Sequence, residues 1–154
     1  MTSLHELLQK ALGSPPDYSG RFSAKVADIV VNISRHCGLS TEHDTSMDYS
    51  SAQKISWERT ESHPRIQYRL FVSSRGPLYT ILPYLADEHG DWRRSADDSV
   101  FQEDSAVACV QSVLESHGYE FVATDLLERP APGHVTDMDG APASLRDVIF
   151  TELA

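Results

Sequence analysis

Ile66-Gln67-Tyr68-Arg69-Leu70-Phe71-Val72-Ser73, then Ser74-Arg75-Gly76-Pro77, then Leu78 through Leu85, is the stretch on which the fold turns. Ile66, Tyr68, Leu70 and Val72 alternate with Gln67, Arg69, Phe71 and Ser73. A period of two sends successive side chains to opposite faces of a pleated strand. The Gly-Pro segment that follows is turn chemistry, and Leu78–Leu85 then resumes as a further run. Pro83 late in that run predicts a strand end or an edge position, because proline donates nothing to a ladder. Upstream, Ile55 and Trp57, with Arg59, share one side against Lys54, Ser56 and Glu58, and Glu61-Ser62-His63-Pro64 makes the intervening turn. Period-two runs joined by short turns predict an antiparallel meander.

Helical spacing flanks the meander. Leu4, Leu7, Leu8, Ala11 and Leu12 predict a first helix, with Ser3 and Glu6 spaced as a capping box and Gly13-Ser14-Pro15-Pro16 ending it. A second helix is predicted from Ser19 or Gly20 to Cys37, its apolar stripe made by Phe22, Val26, Ile29, Val30, Ile33 and Cys37, with Gly38 as its stop. Residues 39–51 are polar and without period, which predicts a loop. Asp87–Asp91 reads as a turn, and Trp92-Arg93-Arg94 as a short fourth strand or a loop anchor. Residues 95–105 are acidic and weakly patterned. A third long helix is predicted from about Asp104 to His117, closed by Gly118, and then a strand over Tyr119–Thr124 and a turn of helix over 125–128. Residues 129–133 and 137–142 read as loops. Ser144 can cap a short terminal helix carrying Leu145, Val148 and Ile149, although 145–153 also fits a terminal strand.

The expected fold is therefore a single α+β domain over residues 1–154. It has an antiparallel sheet of about four to five strands with helices packed mainly on one face, in the order α-α-β-β-β-α-β-α. Strands clustered between helices support this, as does the polar side of each strand. The order resembles, at the level of architecture alone, small α+β interaction proteins such as secretion chaperones and toxin-immunity proteins. No motif carries that likeness, and no family is assigned.

Composition narrows the function. The hydrophobic fraction of 40% and charged fraction of 23% are those of a globular chain, and no apolar run approaches the length of a membrane span. The N-terminus shows no basic segment leading into an apolar core, which predicts a cytoplasmic protein. Cys37 and Cys109 are expected as reduced, buried thiols, with a single disulfide as the alternative. The formal net charge is −10 and is unevenly spread. Residues 1–85 hold nine Lys/Arg against eight Asp/Glu, while residues 86–154 hold four against fifteen. Phosphate must be met by Lys and Arg, so this balance excludes nucleic acid as the expected partner. It favours a protein partner of basic character, and no membrane partner is expected.

No contiguous catalytic or cofactor motif is present. P-loop, dinucleotide-binding, nucleophile-elbow and zincin patterns are all missing, and no cofactor is expected. Seven His are scattered without zinc spacing. Asp87, Glu88, His89 and Asp91 contain metal-ligating groups but also match an exposed turn, which is the preferred reading. Asp137-Met138-Asp139-Gly140 resembles a fragment of a calcium loop but lacks the ligand count. Glu103 and Asp104, with Asp97 and Asp98, are best read as start-of-helix carboxylates that complement the helix dipole.

The expected function is a non-enzymatic protein-interaction domain, immunity-like or chaperone-like. Its candidate partner-binding residues are Asp87, Glu88, Asp91, Asp97, Asp98, Glu103 and Asp104, which would draw a basic protein such as a nuclease toxin. Trp57, Tyr68 and Arg69 are candidates on a sheet face. The alternative is a small enzyme or ligand-binding protein whose site is assembled from distant residues such as His36, His63 and His89. A structural subunit with a large apolar face is a third class. Oligomeric state is not readable from the sequence.

Overall fold

The computed structural model describes residues 3–47, 50–59, 64–95, 104–136 and 140–151. The meander forms its centre. β1 (Glu42–Asp44), β2 (Ala52–Glu58), β3 (Ile66–Ser73), β4 (Leu78–Ala86) and β5 (Trp92–Arg94) lie side by side in that order, each antiparallel to the next. The β2–β3 register puts Ile55 opposite Leu70 and Trp57 opposite Tyr68, and β3–β4 puts Leu70 opposite Ile81. These apolar positions therefore share one face.

The far side of β4 is divided between two short strands. β5 pairs with Tyr84–Ala86, whereas β6 (Glu120–Phe121) runs parallel to Leu78 and Tyr79. Pro83 is thus neither at a strand end nor on an edge, contrary to the expectation. Its carbonyl accepts Ser95 N–H at 2.9 Å, so its nitrogen points to that same side, one residue before the β5 ladder begins. The missing N–H closes a ladder there instead of interrupting one.

Two long helices cover one face of the sheet. α2 (Gly20–Cys37) contributes Phe22, Val26, Ile29 and Ile33, and α3 (Ser105–Ser116) contributes Val107, Val110, Val113 and Leu114. The one-turn spacing of each set is what aims it at the sheet. Each such aliphatic side chain withdrawn from water contributes about 1.5–3 kcal/mol. Gly38 ends α2 at φ 64°, a left-handed conformation that glycine adopts without a Cβ clash.

The expectation that helices pack mainly on one face needs correction. α1 (Leu4–Leu12), α4 (Thr124–Leu127) and α5 (Leu145–Ile149) cover part of the second face, where they bury Ala52, Leu78 and Leu82. The reason lies in β4, whose Leu78, Tyr79, Ile81 and Leu82 are apolar at adjacent positions and are buried on both sides. A strand of that kind requires cover on two faces.

Other expectations change in detail. The predicted loop at 39–51 contains β1, a strand made by pairing with β2 and not by any apolar period. The predicted loops near 129–142 hold a separate ribbon of β7 (Pro130–Val135) and β8 (Pro142–Ser144). Of the strand expected at 119–124 only Glu120 and Phe121 pair, and in parallel. The terminal segment is the helix and not the strand. Ser144 and Asp147 there form a reciprocal capping box, with Ser144 N donating to Asp147 Oδ2 at 3.0 Å and Asp147 N to Ser144 Oγ at 3.2 Å.

Cys37 and Cys109 are joined in a disulfide, the alternative and not the expected pair of thiols. It ties the end of α2 to the middle of α3, with the two Cα atoms 5.8 Å apart. No helix among the described residues is long and apolar enough to cross a membrane.

Candidate interaction face

The short helices on the second face cover only one part of it. Glu42 lies opposite Ser56 and Asp44 opposite Lys54, and the same face continues through Gln67 and Arg69 of β3. These side chains line a depression of about 400 Å3. A neighbouring one of about 300 Å3 shares Glu42, Ser56 and Gln67 with it and extends to Glu58. Glu42, Asp44 and Glu58 are exposed, whereas Lys54, Gln67 and Arg69 are half-buried. The strands set this arrangement directly, because alternate residues of β2 and β3 send their apolar partners to the other side.

The face is held in place by its own contacts. Arg69 lays its guanidinium carbon 3.7 Å from the centre of the Tyr84 ring on β4, and its Nε donates to Gln67 Oε1 at 2.7 Å. Gln67 is directly opposite Tyr84, so the three side chains form one cross-strand group. At the β1 edge, His43 Nε2 is 2.7 Å from Gln53 Oε1, which places the ring proton on Nε2. Gln53 is fully buried and its amide nitrogen donates to Ser23 Oγ of α2 at 2.8 Å. The edge strand is thereby tied to the helix beneath it.

The acidic β4–β5 turn lies at one end of this face. Ala86 N–H donates to Arg65 O at 3.0 Å, and Arg65 Nη2 donates to Glu58 Oε1 at 2.6 Å. The guanidinium of Arg65 also lies 5.1 Å from the Trp92 ring centre. Asp87 is the organiser of the turn. Its Oδ1 accepts the N–H groups of His89 and Asp91, each at 2.9 Å, and Arg93 Nε reaches Oδ2 at 3.1 Å. The Asp91 N–H, with Arg93 and the His89 N–H, holds the Asp87 carboxyl below the usual carboxylate range. Glu88 and Asp91 are exposed.

The sequence-derived candidates are scattered. Asp87, Glu88 and Asp91 belong to the turn, and Arg69 belongs to the open face. Trp57 and Tyr68 point the other way, into the core beneath α2 and α3, at 3% and 0% exposure. Asp104 caps α3 through Ala106 N and Val107 N, the start-of-helix role expected of it. Asp97, Asp98 and Glu103 lie outside the described residues, as do His63, Asp137 and Asp139. His36 is exposed in the last turn of α2 and His89 in the β4–β5 turn, on separate elements. Among the described residues no three His, Cys, Asp or Glu side chains come together to hold a metal ion.

Sequence reasoning misses Glu42, Asp44, Lys54 and Gln67. Their signal is the polar half of the β2 and β3 alternation, which shows that a face exists but not which part of it stays open. No family model, curated protein or solved structure matches the chain.

Proposed function

We propose that the chain is a non-enzymatic protein-interaction domain, of immunity-protein-like or chaperone-like type. It engages a macromolecular partner through the open β1–β3 face, with the acidic β4–β5 turn at its rim. What supports the reading is the division of the second sheet face. One part is covered by three short helices, while the other presents side chains fixed by the Arg69–Tyr84–Gln67 group, with the exposed acids Glu42, Asp44 and Glu58 along it and Glu88 and Asp91 in the turn at one end. A pre-ordered polar face loses little conformational freedom on binding, and exposed acids at its border steer a basic partner.

The test is capture from native lysate at low and high salt, run in parallel with the native chain and a Glu42→Lys/Asp44→Lys/Glu88→Lys variant. A stoichiometric basic partner that the variant fails to retain supports the reading. Equal capture by both, or capture by neither, removes it. A cytoplasmic location belongs to the same proposal and has a corollary. Disulfides are rare in reducing compartments, so Cys37 and Cys109 would be thiols in the cell and form their bond on oxidation. Alkylation in intact cells before lysis checks this, and a fully blocked, already oxidised pair argues for an oxidising compartment.

A further inference from the structure

At the other end of β3 and β4 from the acidic turn, positive charge gathers in a cleft. It has a volume of about 370 Å3 and lies between the start of α2, the β3–β4 loop and the segment joining α3 to β6. Arg21 and Lys25 are one helical turn apart on α2, Arg75 comes from the loop, and His117 and Tyr119 from the segment after α3. Asp17 is the single carboxylate among the described lining residues. Among the described residues, three permanent cations therefore line the cleft with one anion, in a chain whose net charge is −10.

The walls are built and not merely adjacent. Arg75 Nη1 donates to Ser14 O at 2.6 Å and its Nε to Ser51 Oγ at 3.2 Å, so the guanidinium is fixed. Ser74 Oγ donates to Ser51 O at 2.7 Å and accepts Asp17 N–H at 2.9 Å. The charge of Asp17 is engaged locally, since Ser19 N–H donates to Oδ1 at 2.8 Å. Hydrogen bonding from the Ser19 side chain and then its N–H, with smaller contributions from Arg21 and Lys25, keeps Asp17 below the usual carboxylate range. Arg21 and Lys25 are exposed and form no ion pair among the described residues. The ring of Tyr119 is buried beside them, giving the cleft an apolar wall as well as a cationic one.

We propose that this cleft binds phosphate, free or as the monoester of a small molecule. Arg21 and Lys25, exposed and in no ion pair among the described residues, suit a group that carries about −1.5 to −2 at neutral pH. The Arg21 guanidinium offers a planar pair of donors to its oxygens, and Lys25 adds a point charge. The volume falls within the range of small-molecule sites, with room beyond a phosphate for an organic group against Tyr119.

The experiment is a 1H–15N NMR titration of the whole chain with inorganic phosphate and, separately, with glycerol 3-phosphate. Sodium chloride is varied to hold ionic strength constant. Saturable shifts at Asp17, Arg21, Ser74, His117 and Tyr119 are expected, with affinity at least tenfold lower in an Arg21→Gln/Lys25→Gln variant. That variant keeps its melting temperature, because both residues are exposed. Equal affinity for the two probes identifies the bare oxyanion as the ligand, and tighter binding of the ester identifies a monoester. Either result supports the site. Shifts reproduced by sodium chloride alone, or affinity unchanged in the variant, overturn it.

Discussion

The Tyr68 hydroxyl on β3 donates to Asp104 Oδ2 at 2.9 Å, while Asp104 Oδ1 accepts the first free N–H groups of α3. One carboxylate, 7% exposed, thus ties the sheet to the helix lying on it, and Arg59 Nε approaches the same Oδ2 at 3.7 Å. Asp104→Ala removes a helix cap and a buried acceptor together, and is expected to cost about 2–3 kcal/mol. Tyr68→Phe is expected to cost about 1 kcal/mol. Urea denaturation of both single variants and the double variant checks the link. Costs that simply add would mean the two residues act independently.

Alkaline pH is expected to destabilise the fold through its buried tyrosines. Burial raises the hydroxyl pKa of Tyr68, Tyr79 and Tyr119, and for Tyr68 the neighbouring Asp104 raises it further. An unfolded tyrosine ionises near 10.0, whereas these three stay protonated in the folded chain. Above that pH the unfolded state holds fewer protons than the native one, so stability is full below pH 10 and falls as pH rises beyond it. Absorbance at the tyrosinate band, followed with the unfolding midpoint, should show these side chains ionising only as the structure is lost.

Removing the Cys37–Cys109 disulfide is expected to lower stability substantially. The bond closes a separation of 72 residues, and loop-closure arguments give about 4 kcal/mol for such a length. The Cys37→Ser/Cys109→Ser variant should match the reduced native chain in urea midpoint and ignore added reductant. A reductant-insensitive native chain would show that the bond is absent in solution.

The terminal helix hangs on serine hydroxyls. Ser73 Oγ donates to Ile149 O at 2.7 Å, Ser50 Oγ to Phe150 O at 3.0 Å, and Ser51 Oγ to Thr151 O at 2.9 Å. These bonds satisfy carbonyls that the end of α5 leaves without helical partners. Ser73→Ala is expected to cost about 1–2 kcal/mol and to speed amide exchange in α5 before it does so in α2. Uniform acceleration across both helices would contradict a local role.

The sequence reads well where one period controls the outcome. The α2 stripe from Phe22 to Ile33 and the β3 alternation from Ile66 to Ser73 are both found as expected. It reads poorly where structure comes from pairing at a distance. β1 has no apolar residue, and β6 is a strand only because Leu78 and Tyr79 lie beside it. The candidate face suffers the same limit. Alternation separates Lys54 and Arg69 from Trp57 and Tyr68, but the extent of helical cover over each side depends on where α1 and α5 come to rest. Trp57 and Tyr68 looked available for binding because aromatic residues suit strands on either face.

The serine contacts to the last helix have a consequence for how the chain is made. Ser51 meets Thr151 and Ser73 meets Ile149, so a part of the sheet synthesised early is fastened by a segment synthesised 100 residues later for Ser51 and 76 for Ser73. α1, α2 and the β2–β4 meander can associate while the chain is still emerging, but the cover over Leu78 and Leu82 is complete only once residues 145–151 have left the ribosome. The nascent protein therefore passes through a half-clad stage, in which part of this apolar face is open to other chains.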